Sequence, residues 1–367
     1  MKGFIQQTVN GTGAEAMVEN LSVHDGAVRK TARMTLSQWA GLVLLGSGVF
    51  LGGCVAPQTK AWRAAVAAAP ESAITAPLQV PDVPFFPQAD YQCGPAALAT
   101  LMAWSGKVVT PDELVAQVYV PGRRGSYALE MIVTARRNGR LVYPVAGNLP
   151  MLLTVLEQGY PVLVLQNNGL GIYPLWHFAV VVGADPAREK ITLRSGRTEN
   201  LVMDFSVFER TWARGDHWAA LLLDPARLPD TLEPGTVIRE LALMEKAGAV
   251  VEAQAGFSRA VLNWPEQKTA WLGLANTSLA LNEKARAEST LRELVRRQPQ
   301  YGPGLNNLAD VLLKSGRAAE ALPYAERAVA VLDIPVTRTT LAAVRAALAP
   351  DAAVVEVPPV HPDVSEK

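Results

Sequence analysis

The chain has 367 residues, 49% of them hydrophobic, and its 34 Lys and Arg balance 34 Asp and Glu to a formal net charge of zero. That is material for a sizeable core and for two domains, and with no long block of like charge it offers nothing to a nucleic acid partner. Two cysteines and four histidines without ligand spacing point to no metal site, and no cofactor is expected.

In chain order, Arg29, Lys30 and Arg33 precede "MTLSQWAGLVLLGSGVFLGGC", and no charged residue occurs from Met34 through Thr59. A basic region, an apolar run and small residues before a cut site make an export signal, with residues 1–33 read as an upstream extension. Leu51-Gly52-Gly53-Cys54 resembles the lipobox of bacterial lipoproteins. That resemblance implies acylation of Cys54, cleavage in front of it and, with Val55 next, an outer-membrane anchor facing the periplasm. A transmembrane anchor is the alternative, although Gly41, Gly46, Gly48 and Gly52 interrupt the span. If Cys54 carries lipid, Cys93 is the only thiol left in an oxidising compartment, which requires it to be buried or used. Residues 55–77, rich in Ala and Pro, read as a tether that is partly helical at 61–69.

A globular domain is expected over 78–225. Helices are predicted from Cys93 to Ser105, in "TPDELVAQVY" with Thr110 as N-cap and Glu113 completing a capping box, from Ser126 to Arg137, and in "NLPMLLTVLEQG" capped by Asn148. Strands follow at 161–167, 177–185, 190–196 and 218–224. Helices followed by an antiparallel sheet give an α+β domain.

From 234 to 348 the sequence repeats every 34 residues: Gly248, Asn282 and Gly316 fall in step, as do Ala253, Ala287 and Ala321, and Leu241, Ala275 and Ala309. This resembles tetratricopeptide repeats, which implies stacked helical pairs and a groove for a protein partner. Residues 349–367, with four prolines and mixed charge, read as a disordered tail.

Cys93 opens an apolar helix, where the amide dipoles of the first turn, and an imidazolium beside it, would lower its pKa. The stretch "QADYQCGPAAL" resembles the nucleophile motif of papain-like cysteine peptidases, closest to those that process bacteriocin leaders after a double glycine. The resemblance covers about residues 80–224 and implies a papain-like fold with Cys93 as nucleophile. It implies Gln88 as the oxyanion donor, with Gln92 as competitor, and His177, opening "HFAVVVGAD", as general base. Among the other histidines, His24 precedes the cut site, His361 lies in the tail, and His217 matches no catalytic element. The family places Asp or Asn on the strand after the histidine; here Ser195 takes that place. Asp185 lies eight residues along the strand, some 26 Å off at about 3.3 Å per residue, and Asp204 serves only if the chain after Gly196 folds back. These readings lead to an anchored periplasmic cysteine peptidase whose repeats bind protein. The alternatives are an inactive peptidase-like scaffold, which Ser195 favours, and acyl transfer to an amine by the same Cys–His pair.

Overall fold

The computed structural model describes residues 56–349, so Cys54, the export signal, His24, His361 and the tail lie outside the described residues. Two compact units divide between Trp264 and Pro265. Among the described residues no helix is long and apolar enough to cross a membrane.

The first unit is built on one antiparallel sheet. Its strands are β1 (Leu78–Gln79), β2 (Leu141–Pro144), β3 (Val162–Asn167), β4 (Trp176–Asp185), β5 (Lys190–Ser195), β6 (Thr198–Asp204) and β7 (Ala219–Leu223). They lie in the order β2-β7-β3-β4-β5-β6, with β1 also pairing β4. The central β4 is buried on both faces from Phe178 to Ala184, which explains its unbroken run of Val and Ala rather than an alternating pattern. The helices are α1 (Pro57–Ala68), α2 (Cys93–Trp104), α3 (Pro111–Val118), α4 (Ala128–Arg137), α5 (Leu149–Glu157) and α6 (Phe205–Ala213). The Thr110–Glu113 capping box and the Asn148 cap form as their residue types dictate. Strands β2 and β6 and helix α6 were not anticipated from sequence. β6 is a largely exposed edge strand, whereas α6 buries Phe205, Phe208 and Trp212 at helical spacing.

Residues 57–68, placed by the sequence in a tether, form a docked helix. Trp62 is buried, edge-on to the Phe205 ring at 5.5 Å. The first turn of α1 is held by Glu209 of α6, whose carboxyl oxygens accept from the Gln58 and Thr59 amides at 2.7 Å each and from Thr59 Oγ1 at 2.6 Å. An acidic side chain at a helix start satisfies amides that have no partner within the helix. Farther along α1, Arg63 pairs with Glu189 at the β4–β5 turn.

The first helical pair, α7 (Pro234–Lys246) and α8 (Val250–Asn263), belongs to this same unit. Arg136 of α4 pairs with Glu240 at 2.6 Å, both largely buried, and Asn263 donates to the Leu228 carbonyl at 2.9 Å.

The second unit contains α9 (Lys268–Ala280), α10 (Lys284–Arg297), α11 (Gly302–Lys314), α12 (Ala318–Val331) and a closing helix α13 (Pro335–Leu348). Ala275, Leu291, Leu308, Ala309 and Ala321 sit in its core, where small side chains bring paired helices together. The three in-phase residues Gly248, Asn282 and Gly316 have φ of +94°, +61° and +74°. Each occupies the left-handed turn that ends the first helix of a pair, the conformation that favours Gly and Asn.

Candidate active site

Cys93 is the first residue of α2 and is 8% exposed. The backbone bends sharply into it: Tyr91 is left-handed at φ +62°, and Gln92 precedes the helix without a side-chain cap bond. Gly94 is required by packing, since a Cβ there would stand 2.3 Å from Ser126 Oγ. Pro95 sits in the first turn, where a missing N–H costs nothing.

The segment carrying Gln88 is laced to the sheet. Val80 N donates to the Val182 carbonyl at 2.8 Å and Gln88 N to the Gly196 carbonyl at 3.1 Å. Arg194 reaches the Val83 carbonyl at 2.8 Å, and Arg197 pairs with Asp90 at 3.0 Å. Gln88 thereby lines one narrow pocket with Phe85, Cys93, Phe178, Ser195 and Gly196, with room for about one water molecule. Its Oε1 is buried without a hydrogen-bond partner.

His177, near the start of β4, places Nε2 2.8 Å from Ser195 Oγ. The next residue, Phe178, lines the same pocket as Cys93, and its ring rests edge-on against Trp218 at 5.9 Å. Ser195 lines the pocket that holds Cys93, and its hydroxyl is the group that meets the imidazole.

The electrostatics differ from the sequence expectation of a lowered thiol pKa. Burial pushes the Cys93 thiol up, against the amides of Phe178, Gly94 and Cys93 that pull it down. Burial likewise pushes His177 below its ordinary value. Both shifts favour the neutral thiol and the neutral imidazole over an ion pair. A thiol whose pKa is raised in the folded state ionises only above the ordinary range of about 8.5. Alkylation of Cys93 in the intact protein is therefore expected to rise late, at alkaline pH. A rate already at plateau below neutrality, followed by mass spectrometry of the Cys93 peptide, would contradict the neutral resting pair.

The competitors lie elsewhere. Asp185 accepts from the Arg188 amide at 3.1 Å at the β4–β5 turn, and Asp204 pairs with Lys190 at 2.5 Å, both at the end of the sheet away from His177. His217 stacks edge-on with Trp212 at 5.0 Å, and its Nε2 is buried without a partner. Gln92 uses its backbone to join α2, its carbonyl accepting from the Ala96 amide at 3.2 Å. Sequence reasoning missed the place of Phe178 in the pocket and the Gly94–Ser126 contact; the glycine straight after the cysteine was the available signal for the second.

Residues 80–216 match the model of the Peptidase_C39 like family. Among solved structures, a C39-like peptidase from Bacillus anthracis is 16% identical over 40% of this chain and 97% of its own, with a TM-score of 0.35. The peptidase domain of Streptococcus ComA, a bi-functional ABC transporter in a quorum sensing pathway, is 22% identical over 38% of this chain and 98% of its own, at 0.33. A thermophilic TPR protein from Thermus thermophilus is 21% identical over 32% of this chain at a TM-score of 0.30, and the match spans 66% of that protein's length. No curated protein matches the chain.

Proposed function

We propose that this chain, a Peptidase_C39-like domain followed by tetratricopeptide-type helical pairs, is a cysteine peptidase held at the bacterial envelope by Cys54 and facing the periplasm, with repeats that bind a protein partner or substrate segment. The observation supporting the chemistry is Cys93 at the start of α2 in one pocket with Gln88 and Ser195, whose hydroxyl stands 2.8 Å from His177 Nε2. His177 Nε2 is engaged by the Ser195 hydroxyl, which leaves Nδ1 to take the thiol proton. The sulfur then adds to a peptide carbonyl, and the oxyanion is held by the Cys93 amide and the Gln88 side chain. The C–N bond breaks as the imidazolium returns its proton to the amine, and water hydrolyses the thioester by the same relay. A neutral resting pair suits this order, because the charge separates only when a substrate is present to use it.

Ser195 offers a dipole where a carboxylate would stabilise the imidazolium more strongly. Ser195→Ala is therefore expected to lower kcat about ten-fold or more while leaving KM nearly unchanged, since it removes only the orientation of the base. An unchanged kcat would show that the hydroxyl has no part in the relay.

The same serine, with the burial of both reacting groups, favours a second reading in which the domain is a scaffold without turnover. Offering the full chain a diverse peptide pool and sequencing the products separates the two. New peptide ends that vanish on treatment with a thiol-directed peptide electrophile support the peptidase; an intact pool together with retained partner capture supports the scaffold.

A further inference from the structure

The turn between β3 and β4, "NGLGIYPL", leads straight into Trp176 and His177. Leu170 is 66% exposed, Ile172 79%, Tyr173 76% and Leu175 61%. Four large exposed apolar side chains within one eight-residue turn are a local concentration, not the scattered exposure that any surface shows.

The turn is braced. Asn167 Oδ1 accepts from the Gly169 and Leu175 amides at 2.9 and 2.8 Å, and Asn168 N donates to the Leu175 carbonyl at 2.9 Å. Arg214 donates twice to the Asn167 carbonyl, at 3.0 and 2.7 Å. A Cβ at Gly169 would stand 2.3 Å from the Tyr173 carbonyl oxygen, so the tight reversal requires glycine. The fold invests polar contacts at the base of the turn to hold an apolar tip in the open.

Helix α1 tells what lies nearby. It runs antiparallel to α6, with Gln58 and Thr59 on Glu209, Trp62 on Phe205 and Arg63 on Glu189. The Gln58 side chain also bridges the Gly147 carbonyl and the Leu149 amide at 3.1 and 2.7 Å. Gly147 packs on His217, and Gly215 packs on the Leu165 carbonyl, two residues from the base of the turn. The chain therefore enters the domain at the end of the sheet that bears the apolar turn and His177. In sequence, the uncharged run from Met34 continues to Thr59, in the first turn of α1.

We propose that the 168–175 turn seats in a lipid bilayer surface, so that the end of the domain carrying Cys93 and His177 faces the membrane. Leu170, Ile172 and Leu175 would enter the acyl boundary, and Tyr173 and Trp176 would lie at headgroup level, where amphipathic rings are favoured. The proposal rests on the anchored reading of residues 34–54 and is independent of the peptidase chemistry.

The test places an environment-sensitive nitrobenzoxadiazole dye on Ile172→Cys in a Cys93→Ala full chain, in vesicles of phosphatidylethanolamine and phosphatidylglycerol. The Cys93→Ala chain alone corrects for label at Cys54. Val108→Cys, 84% exposed and beyond the far end of α2, serves as the reference. The expected result is blue-shifted emission at 172 with about two-fold or greater quenching by bromolipids, as for a group seated 5–10 Å into the interface, and water-like emission at 108. Water-like emission at 172 overturns the proposal. The mass of the Cys54 peptide then tells whether the anchor reading falls with it (no acyl mass) or stands alone. Shielding of 172 only after peptide is added also overturns it, assigning the turn to substrate instead.

Discussion

Cys93→Ala is expected to abolish peptide cleavage, a loss of about 10⁴-fold or more in kcat, without a change in thermal stability. The stability half follows from packing. The side chain is buried at the start of α2, but alanine keeps the Cβ and removes one polarizable atom from a pocket that already has room for about one water. The activity half follows from chemistry, because the described hydroxyls around Cys93 are held otherwise: Thr100 Oγ1 donates to the Ala96 carbonyl at 3.0 Å, Ser126 Oγ packs against Gly94, and Ser195 Oγ meets the imidazole. His177→Ala should cost a comparable factor, and the double variant no more than either alone, since base and nucleophile act as one unit. Full activity of Cys93→Ala in the same assay would remove the peptidase reading and leave the scaffold.

The second large effect is on stability. Glu209 is 2% exposed and accepts three hydrogen bonds from the first turn of α1. Glu209→Ala removes all three acceptors at once and leaves two amides and a hydroxyl facing an apolar seam. Buried donors left unpaired cost about 1–3 kcal/mol each, but α1 can swing into water and recover solvation. The loss is thus capped at what holds α1 down, about 2–4 kcal/mol, made up of the cap and of Trp62 packed on Phe205. Calorimetry should show a lower Tm, and hydrogen exchange should show protection lost across 57–68 with β3 and β4 unaffected. Glu209→Gln, which keeps one acceptor, should fall in between. An unchanged exchange pattern in the alanine variant would mean that α1 is held by something other than this side chain.

Much of this was legible in the sequence because it rests on local signals. The capping box at Thr110, the Asn148 cap and the left-handed residues Gly248, Asn282 and Gly316 are dictated within a few positions. The roles of Gln88 and Cys93 came from family likeness, but the closeness of the 88–93 segment to the 195–196 turn did not come from the sequence; in the structure it depends on Arg194, Arg197 and backbone bonds from Val80 and Gln88. No local pattern announces such long-range lacing. The expectation for the thiol differs for a related reason: the helix start is visible in the sequence and favours the thiolate, whereas the burial of Cys93, which pushes its pKa up, is not. Helix α1 was read as a tether because its composition is alanine-rich, and the partner of its first turn lies 150 residues away.

The first helical pair packs on the peptidase-like domain through Arg136–Glu240 and the Leu228 carbonyl, while the contact boundary falls after Trp264. A boundary drawn by repeat counting would cut near residue 230 and strip α7 and α8 from the surface they cover, leaving the Arg136 guanidinium without its carboxylate. For expression or transplantation, the smallest portable piece that keeps the sheet whole ends at 264, and swapping repeat arrays between chains is least disruptive when the first pair travels with the sheet and the exchange begins at Pro265.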